Sequence, residues 1–240
     1  MPKIKLTRGE LYYKTIPIYE GVQRIDKVAA LEDLKCLKTI LDSCGVEFQL
    51  SAGTLLGAIR EKDFIDHDED IDLIVLAEQK QQLFDALPQM IAENFKIARY
   101  DRRGLLSIIR GRLYIDFYFF EKWKEGIRYC SGIVYPEEFV VETMDYNFKG
   151  VNVKIPKEYV NVLRYEYGDD WMTPVKWFDY ESSFIKKLLV RIKSQVKEIL
   201  PDKLYFYLVR SSERKLYYRY LPKLNKYRTE RGEEIVNFVI

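Results

Sequence analysis

Five carboxylates fall within seven positions, Asp66, Asp68, Glu69, Asp70 and Asp72, and the chain turns apolar directly afterwards at Leu73, Ile74, Val75 and Leu76. Acids this crowded repel one another, and a gathered cation relieves the repulsion; a divalent metal is the leading candidate. The apolar run has the length of a buried strand. A strand's two-residue period puts Asp70 and Asp72 on one face. Asp116 is the only carboxylate in Leu113–Phe120, a run otherwise built of Leu, Tyr, Ile and Phe. Placed on neighbouring strands, Asp70, Asp72 and Asp116 can hold two divalent ions about 3.5–4 Å apart, the arrangement that serves phosphoryl and nucleotidyl transfer. Mg2+ or Mn2+ suits such oxygen ligands and keeps substrate phosphates in its shell. Asp116 is then both a ligand and a group able to orient an attacking hydroxyl. An Asp-x-Asp pair by itself also describes a solvated strand end, so the reading depends on what surrounds it.

Several neighbours offer substrate contacts. Gly53 and Thr54 make a turn that opens a helix, where backbone N–H groups and the helix dipole favour a phosphate; a simple helix cap is the alternative. Arg110 and Arg112 flank a hairpin link, as phosphate clamps or as solvated arginines. His67, the only histidine, and Asp68 stand beside the acids, with Arg60 at the end of the preceding helix.

The elements that must position these residues follow from periodicity. Leu34, Leu37, Leu41 and Cys44 predict a helix over 26–44, capped by Gly45. Alternation predicts a strand over 46–50, a short helix over 55–61 and a strand over 70–76. Residues 78–94 read as helical, with Pro88 expected to kink or divide the segment. A strand follows over 95–100. Residues 105–110 and 113–120, joined by Gly111-Arg112, form a hairpin. Short strands and turns fill 127–155, and a helix opened by Pro156 runs to Gly168. The first twenty residues are an arm on the body. Helices are expected over 183–200 and 203–221.

Composition narrows the class. Among 240 residues, 48% hydrophobic and 32% charged describe a globular chain rather than a disordered one. Residues 181–240 hold 14 Lys and Arg against 7 Asp and Glu, whereas the remainder is net acidic. Three cysteines without metal-type spacing, and no secretory leader, point to a reduced, cytoplasmic setting. The acidic body lacks a nucleic-acid recognition motif, so no nucleic-acid partner is expected. The basic quarter, with Phe184, Leu188, Leu189 and Ile192 on one helix face and interleaved tyrosines beyond, either packs on the body or rests peripherally on the inner membrane surface.

Gly53-Thr54-Leu55-Leu56-Gly57-Ala58-Ile59-Arg60, then Phe64-Ile65, then His67-Asp68-Glu69-Asp70-Ile71-Asp72, resembles the LicD family, related to the fukutin-related proteins. Ile115-Asp116-Phe117 is similar to the family's later strand carboxylate. Ile155-Pro156, Leu163, Tyr167-Gly168, Asp170-Trp171-Met172 and Pro174 resemble its closing segment. The resemblance, over about residues 26–175, implies an α+β, nucleotidyltransferase-like mixed sheet flanked by helices. The expected division is a catalytic domain over 1–180 and, outside the resemblance, a basic helical extension over 181–240 packed on it. It implies Asp70, Asp72 and Asp116 on metal. It implies a transferase that takes a phosphate-linked group, phosphocholine or alditol phosphate, from a CDP-linked donor to a glycan or lipid-linked glycan acceptor in polysaccharide synthesis. Transfer of a nucleoside monophosphate, and a non-catalytic nucleotide- or membrane-binding module, are the rival readings. Many members carry Trp at the place of His67 and Asp at that of Glu69, which leaves the donor and acceptor open.

Overall fold

The computed structural model describes residues 1–16, 24–124, 126–174 and 200–237. The helix expected over 183–200 lies outside the described residues apart from its last position. The core is a mixed sheet in the order β10-β11-β3-β4-β7-β6-β5, with β8 pairing onto β7 and β9 onto β8. Its strands are β3 (Gln49–Leu50), β4 (Asp70–Leu76), β5 (Lys96–Asp101), β6 (Leu105–Arg110), β7 (Leu113–Lys124), β8 (Ile127–Cys130), β9 (Ile133–Pro136), β10 (Thr143–Phe148) and β11 (Val151–Pro156). β1 (Lys3–Leu6) and β2 (Gly9–Tyr12) form a separate arm. The arm is fastened to the body where the N–H of Thr7 donates to Asp85 at 2.7 Å.

One pairing governs the site. β4 and β7 run parallel, with Asp72 opposite Asp116 and Asp70 opposite Tyr114. β5, β6 and β7 form an antiparallel meander, and its two-residue Gly111-Arg112 link pairs Arg110 with Leu113 as the hairpin signal predicts. Each buried apolar strand is near-continuous in Ile, Leu, Val and Phe, as a sheet covered on both faces requires.

Two helices cover one face. α1 (Lys27–Ser43) begins where the Asp26 carboxylate accepts from the N–H groups of Val28 and Ala29. It stops at Gly45, whose φ of +66° and N–H to Asp42 fulfil the predicted cap. α3 (Lys80–Ala92) sets the edge of Phe84 against Tyr100 and Phe119. It runs through Pro88 as one helix, so of the expected kink or division the division does not occur. The burial of Leu83, Phe84, Leu87 and Met90 outweighs one missing backbone hydrogen bond.

The other face is covered unevenly. At its far end Phe120 stacks on Tyr135, and that ring meets Phe139 of α4 (Glu138–Val141) and Tyr165 of α5 (Tyr159–Tyr167). Pro156 closes β11 and the helix begins three residues later, where its N–H groups no longer belong to the β10 ladder. A long helix, α6 (Asp202–Glu230), extends past the predicted end at 221 and continues through Pro222. It buries Tyr205, Val209, Tyr217, Tyr220 and Leu224 along one side. The Tyr220 hydroxyl donates to Glu166 at 2.8 Å, and that of Tyr227 to Glu138 at 3.0 Å.

The near end of that face is crossed by α2 (Ala52–Leu56), which continues as a π-helical turn over Gly57–Glu61. This helix starts three residues earlier than predicted, so Gly53 and Thr54 lie in its first turn. The strand predicted over 46–50 forms ladder bonds only at Gln49 and Leu50. Gly57 has no room for a side chain: a Cβ there would sit 2.6 Å from the Asp63 carbonyl oxygen and 3.1 Å from Ile65. The loop leading to the acids therefore lies directly on this turn, anchored beyond by the Phe64–Phe148 edge contact. Gly57→Ala is expected to lower stability by about 1–3 kcal/mol through overpacking against backbone, measured by urea unfolding; an unchanged midpoint would show that the loop yields freely.

Candidate active site

Asp70, Asp72 and Asp116 each present a ligand atom within 4.8 Å of the others. Asp70 and Asp72 alternate with the buried Ile71 on β4, and the parallel register sets Asp116 beside Asp72. Asp72 and Asp116 are buried and Asp70 is partly open. Asp70 is raised to about 7, chiefly by burial and then by the charges of Asp116, Asp68 and Glu69. Asp72 is pushed well above the usual carboxylate range, again by burial first and then by Asp70 and Asp116; a hydrogen bond from Tyr118 opposes the shift. Three hard oxygen donors that penalise one another's charge are a set that fits a divalent cation. The triad can therefore hold a metal ion, in the place the strand pattern indicated.

The remaining crowd of acids is separately disposed. Asp66 pairs with Lys27, and Asp63 with Lys149 at 2.8 Å. Asp68 turns inward, its carboxyl raised by burial. Its oxygen fills the space above Gly53, where a Cβ would fall 2.3 Å away. Thr54 is fully buried, and its hydroxyl accepts from the N–H of Asp72 at 2.9 Å. Gly53 and Thr54 thus bring α2 against the acid loop and β4, a structural duty beside any contact with phosphate. His67 is half-buried next to Asp68. Arg60 donates to the carbonyl of Trp171 at 3.1 Å and to Glu61 at 2.8 Å, joining the turn after α2 to the segment after α5. Tyr167 belongs to the same neighbourhood: its hydroxyl is raised by burial first, then by Glu166, Asp72 and Asp68.

Arg110 and Arg112 do not join this group. Arg110 pairs with Leu113, an odd number of positions from Asp116, so it projects from the opposite face. There it donates to Asp33 of α1 at 2.6 Å and lies over the Phe95 ring at 4.4 Å. Arg112 is exposed at the hairpin tip. Arg99, which periodicity did not single out, donates to Ser107 at 2.8 Å and to Asp116 at 3.2 Å. The signal was hidden by a bulge: β5 pairs Ile97 with Ile108 and then Arg99 with Ser107, skipping Ala98. Tyr118, two residues beyond Asp116 on the same face, was visible in the alternation.

The match to known proteins falls on this framework. Residues 45–158, which contain the whole triad, match the LicD/FKTN/FKRP nucleotidyltransferase domain. The class is therefore a nucleotidyltransferase-type domain carrying clustered carboxylates on a mixed sheet. The matched residues make up just under half of the chain, and over them it is similar to the LicD family. Among similar proteins, an uncharacterized protein of Rickettsia typhi is 25% identical over 194 residues, covering 75% of this chain and 59% of the relative. The ribitol-5-phosphate transferase FKTN of Mus musculus is 28% identical over 163 residues, covering 64% of this chain and 35% of the relative. The chain thus spans between a third and three-fifths of the length of these relatives. Among solved structures, the antibiotic-resistance factor ANT(2'')-Ia aligns with a TM-score of 0.46 at 15% identity, covering 80% of this chain and 95% of that one.

The raised carboxylates set a pH dependence. Without a cation, the folded protein holds protons that the unfolded chain releases near pH 4, so Asp70 costs stability as pH rises from about 4 to about 7. Thermal melts in EDTA should show the wild type losing stability relative to Asp70→Asn/Asp72→Asn between about pH 4 and about pH 7. Mn2+ should restore the wild type at the higher pH and leave the double variant unmoved. Parallel pH profiles for the two proteins would contradict this electrostatic account.

Proposed function

We propose that this chain is a metal-dependent transferase moving a phosphate-linked group from a CDP-activated donor to a glycan hydroxyl. The observation that carries the reading is the convergence of Asp70, Asp72 and Asp116 within 4.8 Å on register-matched parallel strands. The family of residues 45–158 supports transfer of a phosphate-linked group, and the name of the FKTN relative favours an alditol phosphate. A divalent ion held by Asp70, Asp72 and Asp116 would supply Lewis-acid polarisation of the donor phosphates.

The chain's own residues have distinct tasks in this reading. Asp72, braced from behind by the Thr54 hydroxyl on its N–H, fixes the position of the strand end. Asp70, the most open of the three, faces the incoming donor. Asp116 orients the acceptor hydroxyl. The new bond joins the acceptor oxygen to the transferred phosphorus as the hydroxyl proton passes to solvent, the bond to the bridging oxygen of the diphosphate breaks, and CMP leaves with that oxygen. Gly53, Asp68, His67, Arg60 and Tyr167 shape the walls. The outward side of α6, where Leu204, Tyr207 and Leu208 are exposed among Lys203 and Arg210, gives residues 181–240 a surface for peripheral contact with anionic lipid. Among the described residues no helix is long and apolar enough to cross a membrane.

Release of CMP from a panel of CDP-linked donors, with Mn2+ and with EDTA, tests the reaction. Activity is expected only with metal, and Asp70→Asn or Asp72→Asn should lower kcat by at least about a hundredfold, comparable to removing a principal electrostatic stabiliser. Activity that survives both changes would refute the assignment, and pyrophosphate released from a nucleoside triphosphate would decide for nucleotidyl transfer. For the surface, co-sedimentation with phosphatidylglycerol vesicles should fall at least about tenfold in Leu204→Glu/Leu208→Glu; equal binding would exclude this side of α6.

A further inference from the structure

Arg99 reaches the triad through a chain of features that act together. The skipped residue, Ala98, is fully buried, and its carbonyl accepts from the N–H of Ile16 at 2.9 Å, so the N-terminal segment holds the bulge in place. Without the bulge, alternation would put Ala98 opposite Ser107 and turn Arg99 to the far face, beside Leu106. With it, Arg99, Ser107, Asp116 and Asp72 form one row across four strands. Ser107 is fully buried, and its hydroxyl accepts from Nε of Arg99 at 2.8 Å. The guanidinium is thus held at its base, and Nη2 then donates to Oδ2 of Asp116 at 3.2 Å.

From this geometry we infer that Arg99, braced by Ser107, is a positioning residue that fixes the orientation of the Asp116 carboxylate for cation binding. The inference rests on reading the triad as a cation site. With Oδ2 tied to the guanidinium, the Asp116 carboxylate is not free to turn where it offers a ligand oxygen within 4.8 Å of those of Asp70 and Asp72. Groups that orient a metal ligand from behind typically govern affinity by 10–100-fold. A bare positive charge would act in the opposite direction, because its field repels a cation. The two roles therefore predict opposite signs.

Binding of Mn2+ alone, followed by titration calorimetry on the full chain, separates them. Arg99→Gln is expected to weaken Mn2+ about tenfold although it removes a repelling charge. Arg99→Lys should be no better, since one ammonium cannot span Ser107 and Asp116. Ser107→Ala changes no charge and removes no hydrogen bond to the triad, yet it should weaken Mn2+ severalfold; it decides the matter if the Arg99 variants fold poorly. Unchanged or tighter binding in Arg99→Gln, or unchanged binding in Ser107→Ala, would overturn the positioning role. In those cases wild-type binding, lost in Asp116→Asn, would leave the cation site standing. A wild type that takes up no Mn2+ would remove both.

Discussion

Like-charge repulsion at the β4–β7 seam is the constraint on which the rest of the molecule depends. Burial disfavours the charged forms of Asp70 and Asp72, and the neighbouring carboxylates add to it. Left to themselves, they would push the strand ends apart or take up protons. The surrounding structure prevents the first. Thr54 ties the backbone of Asp72 to α2, Asp68 seats against Gly53, and Lys27 and Lys149 neutralise the outer acids of the loop. Much of the Gly-Thr-Leu-Leu-Gly segment is explained by this mechanical need: its two glycines, four apart, let the acid loop lie against one helix face.

The electrostatic design is graded. Asp70 is open enough to exchange its proton with solvent, Asp72 is closed in, and Asp116 shares a hydrogen bond with a guanidinium. A cation arriving from the open side meets the most accessible carboxyl first and the buried pair afterwards. Tyr118 and Tyr167 stand near the same acids, and both hydroxyls are held in the neutral form by burial and those charges. They contribute polarity without adding charge to a place that already has too much.

The triad was legible because alternation is reliable in short, fully buried strands. Asp70, Asp72 and Asp116 each interrupt an apolar run, and only a neighbour relation between the two strands had to be supposed. Arg110 could have been set aside by the same arithmetic, since a two-residue hairpin link fixes its parity against Asp116. Arg99 could not have been found that way. One extra residue at Ala98 reverses the faces, and a bulge within six residues leaves no compositional mark. The continuity of α3 through Pro88 was hidden for a different reason: local propensity is weaker than the burial of one complete helix face. The early start of α2 reflects a backbone choice at Ala52, whose φ of +42° is unusual for alanine and invisible in its identity.

Chain connectivity divides the site into two local halves. α2 and β4 carry Gly53, Thr54, Asp68, Asp70 and Asp72 within twenty residues; the meander β5–β7 carries Arg99, Ser107 and Asp116 within eighteen. Each half can be ordered by short-range contacts, which close quickly, whereas the parallel β4–β7 pairing joins segments separated by a helix and two strands and closes slowly. Asp116 is therefore brought against Asp70 and Asp72 only at the last of these steps. The charged centre is completed only when the two halves dock, and the share of its electrostatic cost that Asp116 brings falls on that step rather than on the making of either piece.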